Sequence, residues 1–402
     1  MRPGALARLP DLVPDCGRVL LVADENTYPV CGEAVRSLLG ERMERCHVFH
    51  REGQLVPDER AVAELEALVT GQTGFILGVG SGVINDLCKY VSWKLGLDYG
   101  IVATAPSMDG YASSGAAMIT AGMKVTYTTR PPRFILADVD VIRRAPIDMI
   151  RAGYGDIIGK YSALNDWKLS RMVTGEYFCQ EIYDLVLEAT DHIRGAAERV
   201  VAREADAVEY LMNALILIGV TLSLLGSTRP GSGSEHHLSH FFEIVGLLRG
   251  EPHFCHGIDV AYSSVVTAGM RERIAALETP AFLEETADSR QANWRRVYGR
   301  VAGEVAALQE ESGAYARDLR PVYREKWPEI RELMRACPSA AEYGAMLRRA
   351  GYDLNAFEAK YGAEKIRDAR LYGKDLKNRY SVLWLYYALF SGAPEGTGRS
   401  AS

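Results

Sequence analysis

The run FILGVGSGVINDLCKYVSWKL, Phe75 to Leu95, decides the fold class. Phe75–Val79 is a short, unbroken apolar run, the pattern of a strand covered on both faces. Gly78-Val79-Gly80-Ser81-Gly82 overlaps its end, and from Ile84 to Leu95 the apolar residues fall at helical spacing. In a strand, glycine turn and helix taken in that order, the helix start presents free N–H groups and the glycines let a pyrophosphate approach the backbone. The spacing is G-x-G-x-G, not the G-x-G-x-x-G of the ordinary dinucleotide fingerprint, and no Gly-Lys-Ser/Thr ending makes it a Walker loop. Alone, the loop reads as a phosphate cradle or as a tight turn that binds nothing.

The flanking sequence extends the pattern. Arg18–Ala23, Tyr99–Thr104 and Phe134–Ala137 are strand-like, while Gly32–Leu39 and Pro57–Val69 have helical spacing. Strands alternating with helices predict crossover units and a mostly parallel sheet. The strand Tyr99–Thr104 opens into Thr104-Ala105-Pro106-Ser107-Met108-Asp109-Gly110. Ligands of open α/β sheets lie beyond the carboxyl ends of strands, so this loop belongs beside the glycine loop. Thr104 and Ser107 suit a nucleotide, and Asp109 suits substrate hydroxyls; an ordinary Pro-Gly turn is the alternative. Asp24 and Glu25, after the first strand, would disfavour a 2′-phosphate on a dinucleotide. Beyond about residue 146 strand-like runs nearly vanish, and amphipathic stretches over 146–171, 178–203, 206–226, 235–248 and from 257 onward replace them. The expected organisation is an α/β nucleotide-type domain over 1–145, an all-α domain over 146–391, and a small, polar, disordered tail over 392–402.

Composition narrows the function classes. The 402 residues are 48% hydrophobic and 24% charged, a globular balance. A net charge of −6 lacks the basic footprint of non-specific nucleic-acid binding, so no nucleic-acid partner is expected. Seven scattered cysteines without a Cys-x-x-Cys pair fit neither a disulfide scaffold nor a cysteine-caged zinc, and suit a reducing cytoplasm. Asp11, Asp15, Asp24 and Glu25 stand where a signal peptide would be apolar. Leu211–Leu225, interrupted by Asn213, Thr221 and Ser223, is shorter than the roughly 20 apolar residues of a membrane span and reads as a buried core helix.

The densest chemical signal is Ser232-Gly-Ser-Glu-His-His-Leu-Ser-His240, followed by Pro252-His-Phe-Cys-His-Gly257. Ser232 and Glu235 have capping-box spacing, which predicts a helix start. His236 and His240, four apart, then share a face while His237 points elsewhere. Five histidines between 236 and 256 point to a metal, and imidazoles suit zinc, nickel or iron with a carboxylate added. Asp156, in a glycine-rich turn before the helical segment Ile157–Trp167, is the candidate carboxylate or else a helix cap.

Five motifs occur in order: GVGSGxxxD at 78–86, TAPSMDG at 104–110, GYGDIIGKYSALNDW at 153–167, GSEHHLSH at 233–240 and HG at 256–257. Together they resemble the glycerol-1-phosphate dehydrogenase family, closest to its bacterial branch, within the iron-alcohol-dehydrogenase and dehydroquinate-synthase-like superfamily. The resemblance spans about residues 18–270. It implies a dehydroquinate-synthase-like fold, an α/β N-terminal Rossmann-like domain plus an all-α C-terminal domain with the active site between them. It implies that Asp156, His236 and His256 hold one divalent metal, and that His240, Asp109 and Asp156 meet the substrate. The glycine loop (Gly78, Gly80, Ser81) would join Gly82, Val83, Ile84, Asn85 and Asp86, Thr104, Ala105, Pro106 and Ser107, and Ser113 in holding NAD(P)H. His237 and His253 inherit no role and default to packing or surface.

The implied reaction interconverts dihydroxyacetone phosphate and sn-glycerol-1-phosphate by hydride transfer to a metal-polarised ketone. His240 is the expected proton relay, and Lys160 supplies positive charge or is a solvated helix lysine. Met108 and Phe241–Phe242 are expected in the pocket wall, and Arg379 or Lys374 near a phosphate. The same resemblance implies a homodimer or larger assembly, and its product implies a part in phospholipid or polyol-phosphate biosynthesis; the acidic N-terminus and scattered cysteines make a cytoplasmic location the expectation. The alternatives are a sugar-phosphate cyclase, a dehydrogenase of another polyol phosphate, and a non-catalytic metal- and nucleotide-binding protein. The scarcity of basic residues in the motif segments weighs against the cyclase.

Overall fold

Apolar runs without alternation build the centre of the molecule. The computed structural model describes residues 1–283 and 285–391; the expected tail at 392–402 lies outside them. Strands β1 (Arg18–Asp24), β2 (Met43–Phe49), β3 (Thr73–Gly80), β4 (Asp98–Ala103) and β7 (Ile135–Ala137) form a five-stranded sheet in the order β2-β1-β3-β4-β7. Every pairing is parallel. Val19, Leu21 and Ala23 of β1 join Phe75, Leu77 and Val79 of β3 in one core, while Leu20, Val22 and Ile76 enter another on the opposite face. Burial on both faces is why these strands lack polar alternation. The sequence pattern does not announce β2 (MERCHVF), because an edge strand tolerates charge.

A second departure from the expected pattern has consequences for the site. Strands β5 (Gly115–Thr120) and β6 (Met123–Thr128) make a separate antiparallel hairpin. Its turn residues Ala121 and Gly122 both have positive φ, 51° and 78°, as a two-residue type I′ turn requires. Little in GAAMIT or MKVTYT signals a buried strand, so the hairpin is not legible from apolar runs.

From Val139 onward the described elements are helical. Helix α1 (Gly82–Leu95) follows β3. The later half contains α2 (Ile147–Ile158), α3 (Lys160–Thr174), α4 (Gln180–Gly195), α5 (Ala205–Leu225), α6 (Ser234–Arg249) and α7 (His256–Ala276), among others. The expected segment 146–171 is two helices that meet at Gly159. Helix α5 is long and apolar enough to cross a membrane by length and composition. It is a core helix on one face only: Val208 and Met212 pack against the sheet's core and Leu211, Leu215 and Ile218 against the helical core, while Val220 and Leu224 are exposed.

Two glycines set the approach of the halves. A Cβ at Gly153 would lie 1.8 Å from the Pro106 carbonyl oxygen, and one at Gly257 would lie 2.0 Å from that of Ala152. Only bare backbone lets α2 lie against the 104–110 loop and α7 lie against α2. The end of α2 and the start of α7 are thereby brought to the carboxyl ends of β3 and β4.

Candidate metal and cofactor cleft

Asp156 sits in the last turn of α2, not in a turn leading into a helix, and it is not a cap. Its glycine neighbours serve helix packing rather than turn formation. The donor atoms of Asp156, His236 and His256 lie within 4.8 Å of one another, gathered from α2, α6 and α7. The start of α6 is as expected but its cap is not. Ser232 forms no capping box; instead Asp166 of α3 accepts the Ser234 N–H at 2.6 Å, and Glu235 accepts the Gly233 N–H at 2.8 Å. Arg271 pairs with Asp166 at 2.9 Å, so the helix start is held by a buried ion pair.

Glu235 also orients the first histidine. His236 Nδ1 is 2.7 Å from Glu235 Oε1, which leaves Nε2 toward Asp156 Oδ1 at 3.4 Å. His256 Nδ1 is 3.2 Å from Ser239 Oγ. Burial would depress His236, yet its hydrogen bonds to Asp156 and Glu235 hold it above the usual imidazole range. Burial would also raise Asp156, yet Lys160 and His236 hold it well below the carboxylate range. An imidazole nitrogen facing a carboxylate needs a cation between or on them. A proton meets that need, and so does a divalent ion. Two imidazoles and a carboxylate with their other atoms already bonded fit a catalytic metal with an open side.

Lys160 is fully buried, not a solvated helix lysine. Its Nζ bonds Asp156 Oδ1 at 2.7 Å and the Gly231 carbonyl at 2.8 Å, and forms an ion pair with Asp109 Oδ2 at 2.7 Å. With its donors occupied it positions Asp156 and Asp109 rather than reaching substrate. Asp109 N–H completes the link, donating to Asp156 Oδ2 at 2.9 Å. Burial, then the charge of Asp156, pushes the Asp109 carboxyl up against the pull of Lys160. His240 shares its face with His236, the ring centroids 6.2 Å apart, while His237 is turned into the protein. Among the described residues His240 Nδ1 has no hydrogen-bond partner. Burial, then Lys377 and Lys124, holds this imidazole well below its ordinary range, so it is neutral at pH 7.

These side chains line a cavity of about 220 Å³, with His236, His240, His256 and Asp109 on its walls. A second cavity of about 750 Å³ opens on its other side, along the carboxyl ends of the strands. Ser81, Gly82, Val83, Ile84, Thr104, Ala105 and Ser107 line the larger cavity, and Asp86 and Ser113 the smaller one. Gly78, Gly80, Asn85 and Pro106 line neither. Gly78 and Gly80 lie inside β3 under α1, where a Cβ on Gly80 would come 2.6 Å from that of Ile84. Asn85 is buried and turned toward Tyr99, and the Pro106 carbonyl faces α2. Asp24 lines the larger cavity with Glu25 and Arg51, its Oδ1 accepting from the N–H groups of Asn26 and Thr27.

Other expectations move as well. Met108 lines both cavities, but Phe241 and Phe242 are fully buried in the helical core and form no wall. Lys374 is locked to Asp375 and Tyr315 away from the cleft. Arg379 donates to the Ser232 carbonyl at 2.9 Å and to Thr228. His253 lines the smaller cavity rather than the outer surface. Missing from the sequence reading are Lys124 on β6, Glu243 on α6 and Lys377, all lining that cavity, and Lys89 on α1. Lys89 is fully buried and holds the Gly110 and Gly115 carbonyls at 2.8 and 2.9 Å, so it shapes the loop around Asp109. None of these lies in a histidine- or glycine-rich motif; a basic residue next to aromatic or polar neighbours carries no local signal.

Comparison with known proteins bears on this geometry. Residues 1–146 match the family described as iron-containing alcohol dehydrogenase. A Halalkalibacterium halodurans protein named glycerol-1-phosphate dehydrogenase, NAD(P)+, is 34% identical over 288 residues, 70% of this chain and 72% of that protein. The chain belongs to the glycerol-1-phosphate dehydrogenase family. It is therefore an oxidoreductase. A Bacillus licheniformis protein of the same name is 32% identical over 324 residues, 76% of this chain and 81% of the relative. Among solved structures, a probable glycerol dehydrogenase from Sinorhizobium meliloti superposes with a TM-score of 0.56 at 18% identity, covering 89% of this chain and 96% of that one. Glycerol dehydrogenase from Schizosaccharomyces pombe gives 0.55 at 19%, covering 88% and 91%. These structures establish the dehydroquinate-synthase-like fold of iron-containing alcohol dehydrogenases.

Proposed function

We propose that this enzyme interconverts dihydroxyacetone phosphate and sn-glycerol-1-phosphate with NAD(P)H and one divalent metal, zinc, nickel or iron. The carrying observation is that the two cavities share Gly82, Val83, Met108 and His256 as a common wall. A nicotinamide reaching the inner end of the larger cavity would meet a ketone held in the smaller one. The names of the relatives support the same substrate pair.

When bound, the metal supplies Lewis-acid polarisation of the ketone and the reduced nicotinamide supplies the hydride. Asp156, His236 and His256 would hold the metal. Glu235 keeps His236 Nε2 turned inward, and Lys160 keeps Asp156 ionised and Asp109 beside it. Ser81 and Gly82 would present the start of α1 to the pyrophosphate. The new hydroxyl needs a proton, and neutral His240 relays one from water, giving up the proton on one ring nitrogen as the other takes its replacement. Asp109 accepts from a substrate hydroxyl. A place in phospholipid or polyol-phosphate biosynthesis follows from that product.

The test follows oxidation of NADH and NADPH with dihydroxyacetone phosphate, using protein stripped of metal and reloaded in turn with zinc, nickel and iron. Turnover that requires metal and vanishes in His236→Ala supports the reading. Folded protein that binds NAD yet turns over nothing with any metal overturns it. The cyclase is the second reading, because Lys124 and Lys377 supply the cleft with the basic residues that the motif segments lack. It predicts product without net loss of reduced nicotinamide.

A further inference from the structure

The cleft region contains four lysines in two conditions. Lys160 and Lys89 are fully buried with their ammonium groups spent on carboxylates and carbonyls. Lys124 and Lys377 line the smaller cavity beside His236, His240 and His256. Lys124 Nζ pairs with Glu243 Oε2 at 2.5 Å. Lys377 is partly buried, and its ammonium has no hydrogen-bond or ion-pair partner among the described residues. Glu243 is the carboxylate that lends it negative charge, and Lys124 already holds that group.

The backbone that presents Lys377 is firmly anchored. Buried Gln309 donates to the Asp375 carbonyl at 2.9 Å and to the Lys377 carbonyl at 3.1 Å. The neighbouring Lys374–Asp375 pair is fully buried against Tyr315. Lys377 is thus held at the cavity wall by a rigid turn. Thr228, Ser232 and Thr126 stand on the same wall with hydroxyl groups. Burial, then Arg379 and Lys124, pulls the Lys377 ammonium down to about 7. Like charge from Arg379 and Lys124 around the Lys377 ammonium is costly without an anion to receive it, and Glu243 is already held by Lys124.

We infer that Lys377, with Lys124, forms an oxyanion subsite that takes the dianionic phosphate monoester of the substrate and makes this cleft select phosphorylated over neutral ketones and polyols. Lys377 and Lys124 share the cavity with the metal ligands, so a short phosphorylated ketone would meet both sets of groups. The hydroxyls of Thr228 and Ser232 complete the oxygen shell of the phosphate. The inference rests on the proposed function for its substrate, but the subsite itself is read independently through phosphate binding.

Two measurements test it. Calorimetric titration of inorganic phosphate into intact protein needs no turnover. Phosphate should bind the native protein, bind Lys377→Ala roughly tenfold to hundredfold more weakly, and bind Lys377→Arg nearly as well as the native protein. Thermal unfolding of each variant reports whether it is folded. In parallel, Lys377→Ala should lower kcat/KM for dihydroxyacetone phosphate by a similar factor relative to kcat/KM for dihydroxyacetone. Phosphate binding lost in the folded alanine variant and kept in the arginine variant supports the subsite even if dihydroxyacetone phosphate is not a substrate, a result that counts against the proposed function alone. Phosphate that fails to bind the native protein, or binds Lys377→Ala equally well, overturns it, as does an unchanged substrate ratio.

Discussion

The two walls of the cleft are built differently. The wall from the parallel sheet is mostly backbone and small residues: Ser81, Gly82, Val83, Thr104 and Ala105, two short stretches of sequence that follow the ends of β3 and β4. The opposite wall is mostly functional side chains, drawn from α2, α6 and α7 of the helical half, with Lys124 added from the hairpin and Lys377 from a late turn. A backbone wall tolerates changes of side chain and fails when something bulky intrudes. A side-chain wall fails at single functional groups while the fold survives.

That contrast is sharpest at the metal ligands. His236→Ala should abolish metal retention and turnover while leaving the sheet intact, read by elemental analysis, nicotinamide oxidation and circular dichroism. If the variant keeps one metal per chain, the assignment of the ligand set fails. Next in size is the buried ion pair: Lys160→Met leaves Asp156 and Asp109 facing each other without a cation, a loss of about 3–5 kcal/mol of stability in metal-free protein. Chemical denaturation measures it, and added divalent metal should restore part of the loss. Gly153→Ala tests the backbone side. Its Cβ would lie 1.8 Å from the Pro106 oxygen, so the two halves must separate, at about 1–3 kcal/mol. A Tm within error of the native protein would show that the contact is softer than the backbone geometry indicates.

Smaller effects probe orientation. Glu235→Gln keeps the shape but weakens the grip on His236 Nδ1, and metal affinity should fall about tenfold to hundredfold. Competition with a chelator measures it. The mildest effect is in pH. Lys377 is charged below about 7 and loses its proton as pH rises through that value, so its attraction for phosphate weakens toward alkaline pH. Lys377→Arg keeps its charge, and its KM for dihydroxyacetone phosphate should rise less between pH 6 and 9 than that of the native enzyme.

The legibility of each part follows from how local its cause is. β1, β3 and β4 were readable because burial on both faces leaves an unbroken apolar signature. The hairpin was not, since its strands alternate weakly and its turn geometry depends on two positive φ angles. The histidines stood out by density, yet nothing local shows that Asp166, sixty-odd residues away, caps the helix that carries them. Gly153 looks like turn chemistry in the sequence, but a neighbouring carbonyl is its cause. Gly78 and Gly80 carry the spacing of a ligand loop, and the structure adds that α1 packs directly on them.

By itself the sequence determined the alternating α/β start, the helical remainder and the chemical types in the cleft, because periodicity and side-chain identity are local properties. The tertiary structure alone decided which carboxylate meets which imidazole, which cleft lysines are spent, and that the Lys377 ammonium is unpaired among the described residues. Those facts depend on distances between residues far apart in the chain, and such distances exist only once the backbone has closed at Gly153 and Gly257.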